Sequence, residues 1–266
     1  MTDRPDDLMQ AVAELAQLTG DVAHEYYRRR DIAIEVKDDG SPVTIADRRA
    51  EVVARDWITK RFPHDGVLGE EMGIDRPNAR RRWIVDPIDG TKAFIRGVPL
   101  WGTLIAITEN ERVIAGAAYF PVVSELVTAA PGSGCWWNGS RAAVSDIATL
   151  DRSTVLTTDD RFPADPQRRG QWAAMASRVA VCRTWGDCYG YLLVATGRAE
   201  VMVDDIVSPW DAAAFAPIIA EAGGLLTDWR GLQTPFGSGV IATNRALASE
   251  VRGLLGAVPG HAGPRT

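Results

Sequence analysis

The chain has 266 residues, enough for one large domain or two smaller halves, and at that length roughly three quarters of the unfolded surface can be hidden, so no disulfide or structural metal is needed to hold a core. With 35 acidic against 29 basic side chains and a net charge of −6, the composition argues against nucleic acid or an anionic membrane as partner. Only three histidines are present, His24, His64 and His261, which excludes chemistry built on a histidine cluster.

The start, Met1 to Leu8, is polar and acidic, and no run reaches 18 apolar residues, so neither a secretory leader nor a membrane span is expected. Cys135, Cys182 and Cys188 are odd in number and form no CxxC pair, which predicts a cytoplasmic protein with small buried thiols. From Asp6 the apolar positions Leu8, Val12, Leu15, Leu18, Val22 and Tyr26 recur at spacings of three and four, one face of an amphipathic helix. The turn-rich loop Asp39-Gly40-Ser41-Pro42 precedes a second helix that starts near Thr44 and turns Ala46, Ala50, Val53, Trp57 and Phe62 inward. Short apolar runs at 67–69, 83–85, 102–108, 113–120 and 125–129 predict strands, the last three an antiparallel meander.

The pattern breaks at Pro131-Gly132-Ser133-Gly134. A boundary is therefore expected near residue 140, between an N-terminal half, 1–140, and a C-terminal half, 141–258, with a disordered tail over 259–266. In the second half strands at 155–157, 180–183, 199–203, 225–227 and 240–242 alternate with helices at 166–178, 189–197, 209–222 and 245–255. Gly223 and Gly224 supply the stop of the third of these helices.

The sharpest local feature is Trp83-Ile84-Val85-Asp86-Pro87-Ile88-Asp89-Gly90-Thr91. An apolar strand delivers Asp86, Pro87 sets the turn, Asp89 follows, and Gly90 admits a backbone angle that other residues resist. Two carboxylates and a hydroxyl on one turn suit a hard, oxygen-preferring cation such as Mg²⁺, although Pro-x-Asp-Gly is also ordinary turn chemistry. Glu70 and Glu71 end another apolar run, Asp47 stands after Thr44 as in a capping box, and Asp211 lies in the first turn of a helix, where an acid complements the dipole. Each acid has a structural explanation alone; the set does not.

The ordered segments Val43-Thr44-Ile45-Ala46-Asp47, Gly69-Glu70-Glu71, Trp83 to Thr91, and Pro209-Trp210-Asp211 with Glu221-Ala222-Gly223-Gly224 closely resemble the inositol monophosphatase family of metal-dependent, lithium-sensitive phosphomonoesterases, over residues 39–228. The resemblance implies an α/β (α+β) fold, the layered αβαβα sandwich of the inositol monophosphatase and fructose-1,6-bisphosphatase type. It places an α+β N-terminal half with an antiparallel sheet against an α/β C-terminal half, with the active site between them, and it implies a homodimer. It makes Glu70, Asp86 and the Ile88 carbonyl ligands of one Mg²⁺ and Asp86, Asp89 and Asp211 ligands of a second, with Glu70 touching a third through water. Thr91 and Asp47 match the pair that orients the attacking water, beside Glu70. Gly90 and Thr91 would offer N–H groups to the phosphate, with Ile88, Asp89 and Asp211 also against the substrate. The polar loop Lys37 to Pro42 is the expected lid.

Physical chemistry fits these implications. Two cations roughly 3.5–4 Å apart can hold attacking and leaving oxygens, and coordination lowers the pKa of water from about 15.7 toward 7, so no histidine base is required. The cations also invert the local field of an acidic protein toward an anionic substrate.

Thr184-Trp185-Gly186-Asp187-Cys188-Tyr189-Gly190-Tyr191 and Gly90 to Gly97 resemble the histidinol-phosphatase branch more than the inositol-specific members. The implied reaction is hydrolysis of L-histidinol phosphate in histidine biosynthesis, with inositol 1-phosphate or a range of sugar phosphates as the alternative substrates. Asp187 is the expected partner of the substrate ammonium. Asp204 discriminates less, because the inositol enzymes also place an acid there. Arg183 would reach the phosphate or orient an acid, or else form a surface or dimer ion pair.

Three rivals are weighed on the same residues. An aspartyl-phosphate mechanism of the haloacid dehalogenase type wants two acids two residues apart, whereas Asp86 and Asp89 are three apart with Pro87 between. Cys135 and Arg141 have the spacing of a thiol-dependent phosphatase loop, but Trp136, Trp137 and an Asn138-Gly139 turn predict a hairpin instead. A non-catalytic phosphate-binding protein would tolerate a lost ligand, and no ligand position is lost.

Overall fold

The computed structural model describes residues 4–257; the expected disordered tail, with His261, lies outside the described residues. Two helices, α1 (Pro5–His24) and α2 (Ile45–Arg61), flank a hairpin of β1 (Ile34–Val36) and β2 (Pro42–Thr44). The chain then builds a large sheet from β3 (Gly66–Gly69), β4 (Gly73–Asp75), β5 (Arg81–Asp89), β6 (Gly102–Glu109), β7 (Arg112–Phe120), β8 (Glu125–Ala130), β9 (Gly134–Trp137) and β10 (Ser140–Arg141), with the one-turn helix α3 (Thr91–Phe94) after β5. Its order is β10-β9-β8-β7-β6-β5-β3-β4, antiparallel throughout except for the β3–β5 pair. A smaller sheet, β12-β11-β13-β15-β14, contains β11 (Thr154–Leu156), β12 (Val181–Arg183), β13 (Val201–Asp204), β14 (Leu225–Asp228) and β15 (Val240–Thr243). Between and after these strands come α4 (Pro166–Ala176), α5 (Cys188–Ala195), α6 (Pro209–Ala212), α7 (Phe215–Glu221) and α8 (Ala248–Leu254).

Strand alternation dictates the layering, because successive side chains point to opposite faces. Trp83, Val85, Ile105, Ile107, Ala115 and Ala117 face α1 and α2 and join Leu8, Val12 and Leu15 in one core. Their neighbours Ile84, Leu104, Ala106, Ala118 and Phe120 face the other way, onto α5 and α7, where Met202, Val240 and Ala242 of the smaller sheet also pack. Val155, Val201, Val203 and Ile241 form the far face with Trp172, Met175 and Val251 of α4 and α8. Helix, sheet, helix, sheet, helix is the αβαβα arrangement expected. Among the described residues, no helix is long and apolar enough to cross a membrane.

Three details depart from the sequence reading. The buried face of α1 is Leu8, Ala11, Val12, Leu15, Ala16, Thr19, Gly20 and Ala23, while Leu18 is 39% exposed. Small residues win that face because α1 lies close on β7: a Cβ on Gly20 would come within 2.6 Å of the Tyr119 ring. The helix expected over 209–222 is two helices, α6 and α7. Pro217 explains the break, since it has no N–H for the Ala213 carbonyl four residues back. The freed bend sets the Ala214 carbonyl against β7, only 2.2 Å from where a Gly116 Cβ would stand. Finally, the loop before α2 is partly ordered as the β1–β2 hairpin, closed by Lys37 N donating to the Ser41 carbonyl at 2.8 Å.

Candidate active site

β5 carries its apolar run past Val85 to Asp89, with a bulge against β6 between Asp86 and Asp89. The bulge turns the chain so that both acids lie on the same side as the start of α6. It is fixed by Ile88 N donating to Asp86 Oδ1 (3.0 Å) and Thr103 Oγ1 donating to the Pro87 carbonyl (2.7 Å). Gly90, at φ +85°, then starts α3 in the left-handed region that only glycine adopts without strain. Asp86, Asp89 and Asp211 each present an oxygen within 4.8 Å of the others'. Asp211 is aimed by its own helix start, its Oδ2 accepting from Ser208 N at 2.7 Å. Asp89 Oδ2 accepts from Cys188 N at the head of α5, at 2.5 Å.

Crowding of like charge away from water shifts all three acids. Burial first, then Glu70, Asp89 and Asp211, hold the Asp86 carboxyl well above its ordinary range. Burial first, then Asp187 and Asp211, do the same for Asp89. Burial, with Glu70 and Asp204 adding to it against the Ser208 N–H, pushes Asp211 up to about 7. Such a set is costly to ionise without a compensating cation.

Asp47 and Thr91 sit beside this cluster. Asp47 Oδ2 accepts from Thr44 N (2.9 Å) and Thr44 Oγ1 (2.7 Å), while Oδ1 lies 3.4 Å from Thr91 Oγ1, which also donates to the Ile88 carbonyl at 3.0 Å. Burial raises the Asp47 pKa against the bonds from Thr44. Glu70 and Glu71 occupy the turn between β3 and β4, and Lys37 of the hairpin loop reaches both, at 2.8 and 2.6 Å. The Glu71 carboxyl is pushed up to about 7, burial outweighing the Lys37 ammonium. One participant escaped the sequence reading. Glu51 is fully buried one helical turn after Asp47 and accepts from Glu71 N and Met72 N. An acid four residues beyond Asp47, on a face otherwise of alanines, was the available signal.

On the other side of Gly90, Asp187 Oδ2 lies 3.2 Å from where a Gly90 Cβ would be. Its backbone is left-handed, φ 49°, and Thr158 Oγ1 accepts its N–H at 2.8 Å. Burial and then Asp204 push the Asp187 carboxyl up to about 6, partly offset by Lys92. Asp204 is buried with both oxygens engaged, by Thr158 N (2.9 Å) and Tyr191 Oη (2.7 Å), so it braces the wall on which Asp187 stands. Thr158 is a second residue that sequence reasoning did not find. Arg183 ends the edge strand β12, exposed, its guanidinium donating to the neighbouring Cys182 carbonyl at 2.7 Å. The structure does not bring it to the acids.

Cys135 to Arg141 is the β9–β10 hairpin, turned by Asn138 (φ 46°) and Gly139 (φ 78°). Cys135 is buried in this hairpin, which wraps no loop of amides around its thiol, and burial raises that thiol to about 12; both argue against the thiol-dependent alternative.

A model of the inositol monophosphatase family matches residues 5–258. The chain belongs to that family. It is 43% identical to a histidinol-phosphatase of Chlorobaculum parvum over 93% of this chain and 96% of that protein, and 37% identical to one of Mycobacterium tuberculosis over 95% and 98%. Among solved structures, the extragenic suppressor protein suhB of Bartonella henselae superposes with a TM-score of 0.88 at 28% identity, covering 94% of this chain and 98% of that one. Membership of the inositol monophosphatase family, with such relatives, makes this chain a phosphoric monoester hydrolase, which also removes the non-catalytic rival.

As in this metal-dependent family, the donors fit a divalent cation. Asp86, Asp89 and Asp211 are all hard oxygen donors, and among the described residues no lysine or arginine forms an ion pair with any of them. The Ile88 carbonyl keeps a second lone pair beyond its bond from Thr91.

Proposed function

We propose that this phosphatase hydrolyses L-histidinol phosphate with Mg²⁺ as cofactor, two or three ions being held by Glu70, Asp86, Asp89, Asp211 and the Ile88 carbonyl. The substrate reading is carried by Asp187, a half-buried carboxylate beside the Gly90 turn and placed to receive a substrate ammonium. The name histidinol-phosphatase carried by the relatives from Chlorobaculum parvum and Mycobacterium tuberculosis supports it.

When bound, Mg²⁺ neutralises charge on the phosphoryl oxygens and acidifies water. The protein's own groups do the rest. Gly90 and Thr91 N–H groups at the start of α3 hold the phosphate. Thr91 Oγ1, between Asp47 Oδ1 and the Ile88 carbonyl, orients the attacking water and passes its proton toward Asp47, whose second oxygen stays anchored to Thr44. As the water oxygen bonds to phosphorus, the bond to the histidinol oxygen breaks, and the departing alkoxide takes a proton from solvent water to leave as the alcohol, the proton held at Asp47 returning to solvent. Asp187, braced by Thr158 beside Asp204, fixes the amine end. The resemblance also supports a cytoplasmic homodimer, which sedimentation would measure.

Comparing kcat/KM for histidinol phosphate, inositol 1-phosphate, fructose 1,6-bisphosphate and 3′-phosphoadenosine 5′-phosphate, with Mg²⁺ and with chelator, tests this reading. Histidinol phosphate is expected to lead, and chelator to abolish every activity. Asp187→Ala should cost the amine-bearing substrate about 10- to 100-fold more than a neutral sugar phosphate, the worth of one charge-assisted hydrogen bond. A lead for inositol 1-phosphate overturns the substrate, and activity that survives chelator overturns the cofactor.

A further inference from the structure

The turn that carries Glu70 consists of Glu70, Glu71 and Met72, between Gly69 and Gly73, which pair as the last residues of β3 and the first of β4. Its three backbone N–H groups have separate acceptors. Glu70 N donates to the Val85 carbonyl of β5 at 3.2 Å. The other two go to one buried side chain: Glu51 Oε2 accepts from Glu71 N at 2.7 Å and Oε1 from Met72 N at 3.1 Å. Glu51 is 0% exposed, and its remaining partner is Arg55 Nε at 2.7 Å. Arg55 in turn donates through Nη2 to the Gly73 carbonyl, at 2.5 Å. One turn of α2 thus grips the turn at three backbone atoms.

Gly69 completes the fit. A Cβ there would lie 2.1 Å from Glu51 Oε1 and 2.4 Å from its carboxyl carbon, so the space a side chain would fill is taken by the carboxylate. Gly69 is not among the residues with positive φ; its glycine is explained by the Glu51 approach rather than by backbone angle. The glycine before the two acids and the acid on the alanine face of α2 are two halves of one contact.

We propose that Glu51 is a positioning residue for the metal site: by binding the two amides that follow Glu70 it fixes the direction in which the Glu70 carboxylate points. α2 then serves the site twice, through Asp47 at its start and Glu51 one turn on. Without this grip the backbone of the turn keeps the Glu70 N–H and the flanking ladder, and its two carboxylates are free to follow the Lys37 ammonium of the exposed hairpin loop, which pairs with both. The proposal rests on the metal-dependent reading above.

The decisive variant is Glu51→Gln, which keeps the shape but presents an NH₂ group to one of the two N–H donors. Calorimetric titration of the full-length, metal-stripped protein with Mg²⁺ should show a Kd raised about tenfold, the usual scale for losing a partner that orients a ligand. At saturating Mg²⁺ kcat should return to within about twofold of wild type, since no group touching the substrate is removed. Amide exchange should quicken at 71 and 72 while 54–58 of α2 stay as protected as in wild type. Should Glu51→Gln not fold, Gly69→Ala is measured in its place, because the added methyl displaces the same carboxylate and predicts the same three changes. A folded variant with wild-type Mg²⁺ affinity overturns the positioning role alone. A wild-type protein that binds no Mg²⁺ overturns the metal reading together with it.

Discussion

Two helix starts, those of α2 and α6, aim acids of the proposed site with the same device and unequal support. At α2 the Asp47 carboxylate is divided, Oδ2 bound twice by Thr44 and Oδ1 left toward Thr91. The helix behind it has 17 residues packed on α1 and β5, so Asp47 is fixed by a long rigid body. At α6 the helix has four residues and the Asp211 carboxylate has one cap bond, to Ser208 N. Asp211 is placed by its surroundings, α6 lying against β5 and β6, and it comes from the half of the chain that does not carry Asp86 and Asp89. The long helix suits the proton path proposed for Asp47. The short one leaves Asp211, the ligand proposed from α6, to be placed by its contacts with β5 and β6.

The comparison can be broken most severely at Asp211. Asp211→Asn removes a ligand charge and should lower kcat/KM at fixed Mg²⁺ by about 10³-fold, taking several kcal/mol of charge stabilisation at about 1.4 kcal/mol per tenfold. Steady-state kinetics checks this, and a loss below tenfold would leave Asp211 a mere cap. Asp47→Asn should cost about 10²-fold through the proton path while calorimetry finds the Mg²⁺ Kd unchanged. If both variants weaken Mg²⁺ equally, the division of labour between the helix starts is wrong.

Metal-free stability should depend on pH in a direction that follows from the raised carboxyls. Asp211 and Glu71, both held near 7 by burial in the folded protein, keep protons that the unfolded chain releases near pH 4. The native state therefore binds more protons between about pH 4 and pH 7, and stability falls as pH rises through that window. Melts with chelator at pH 5 and pH 7.5 should show the lower Tm at pH 7.5, and Mg²⁺ should erase the difference. A higher Tm at pH 7.5 with chelator would mean the cluster is already neutralised from within. The smallest effect separates the caps themselves. Thr44→Ala should cost about 1 kcal/mol in urea unfolding, because the hydroxyl both donates to Asp47 and accepts from Ala46 N. Ser208→Ala should cost about 0.5 kcal/mol, since only the hydroxyl's half of the capping box is lost and the donor to Asp211 is a backbone N–H that alanine keeps.

The layers and the acid cluster were legible because their signals are local and repetitive. β5 to β8 alternate or run apolar over lengths that only strands use, and Asp86 to Thr91 puts turn chemistry at the end of one of them. What escaped depends on distance in the chain. The alanine face of α2 marks Glu51 as an acid out of place, but its partner shows only when the 69–73 turn is seen against it, and Thr158 gains meaning only from Asp187 and Asp204. Arg183 shows the opposite case: it is close in sequence to Asp187, yet β12 ends at the sheet's edge and leaves its side chain in solvent, the surface position that its second reading expects. Pro217, inside the helix expected over 209–222, is a breaker visible in the sequence, and it divides that stretch into α6 and α7.

The bare backbone at Gly116 bears on which parts of this molecule can change over generations. Side chains in the central layer are interchangeable by volume, and a lost methyl in one is absorbed by its neighbours at moderate cost. Between Gly116 and the Ala214 carbonyl there is main chain on main chain, and no rotamer exists to absorb an added atom. A saturation library should therefore find position 116 as intolerant as the acids, though it performs no chemistry. What it protects is the spacing between the sheet that carries Asp86 and Asp89 and the helix that carries Asp211.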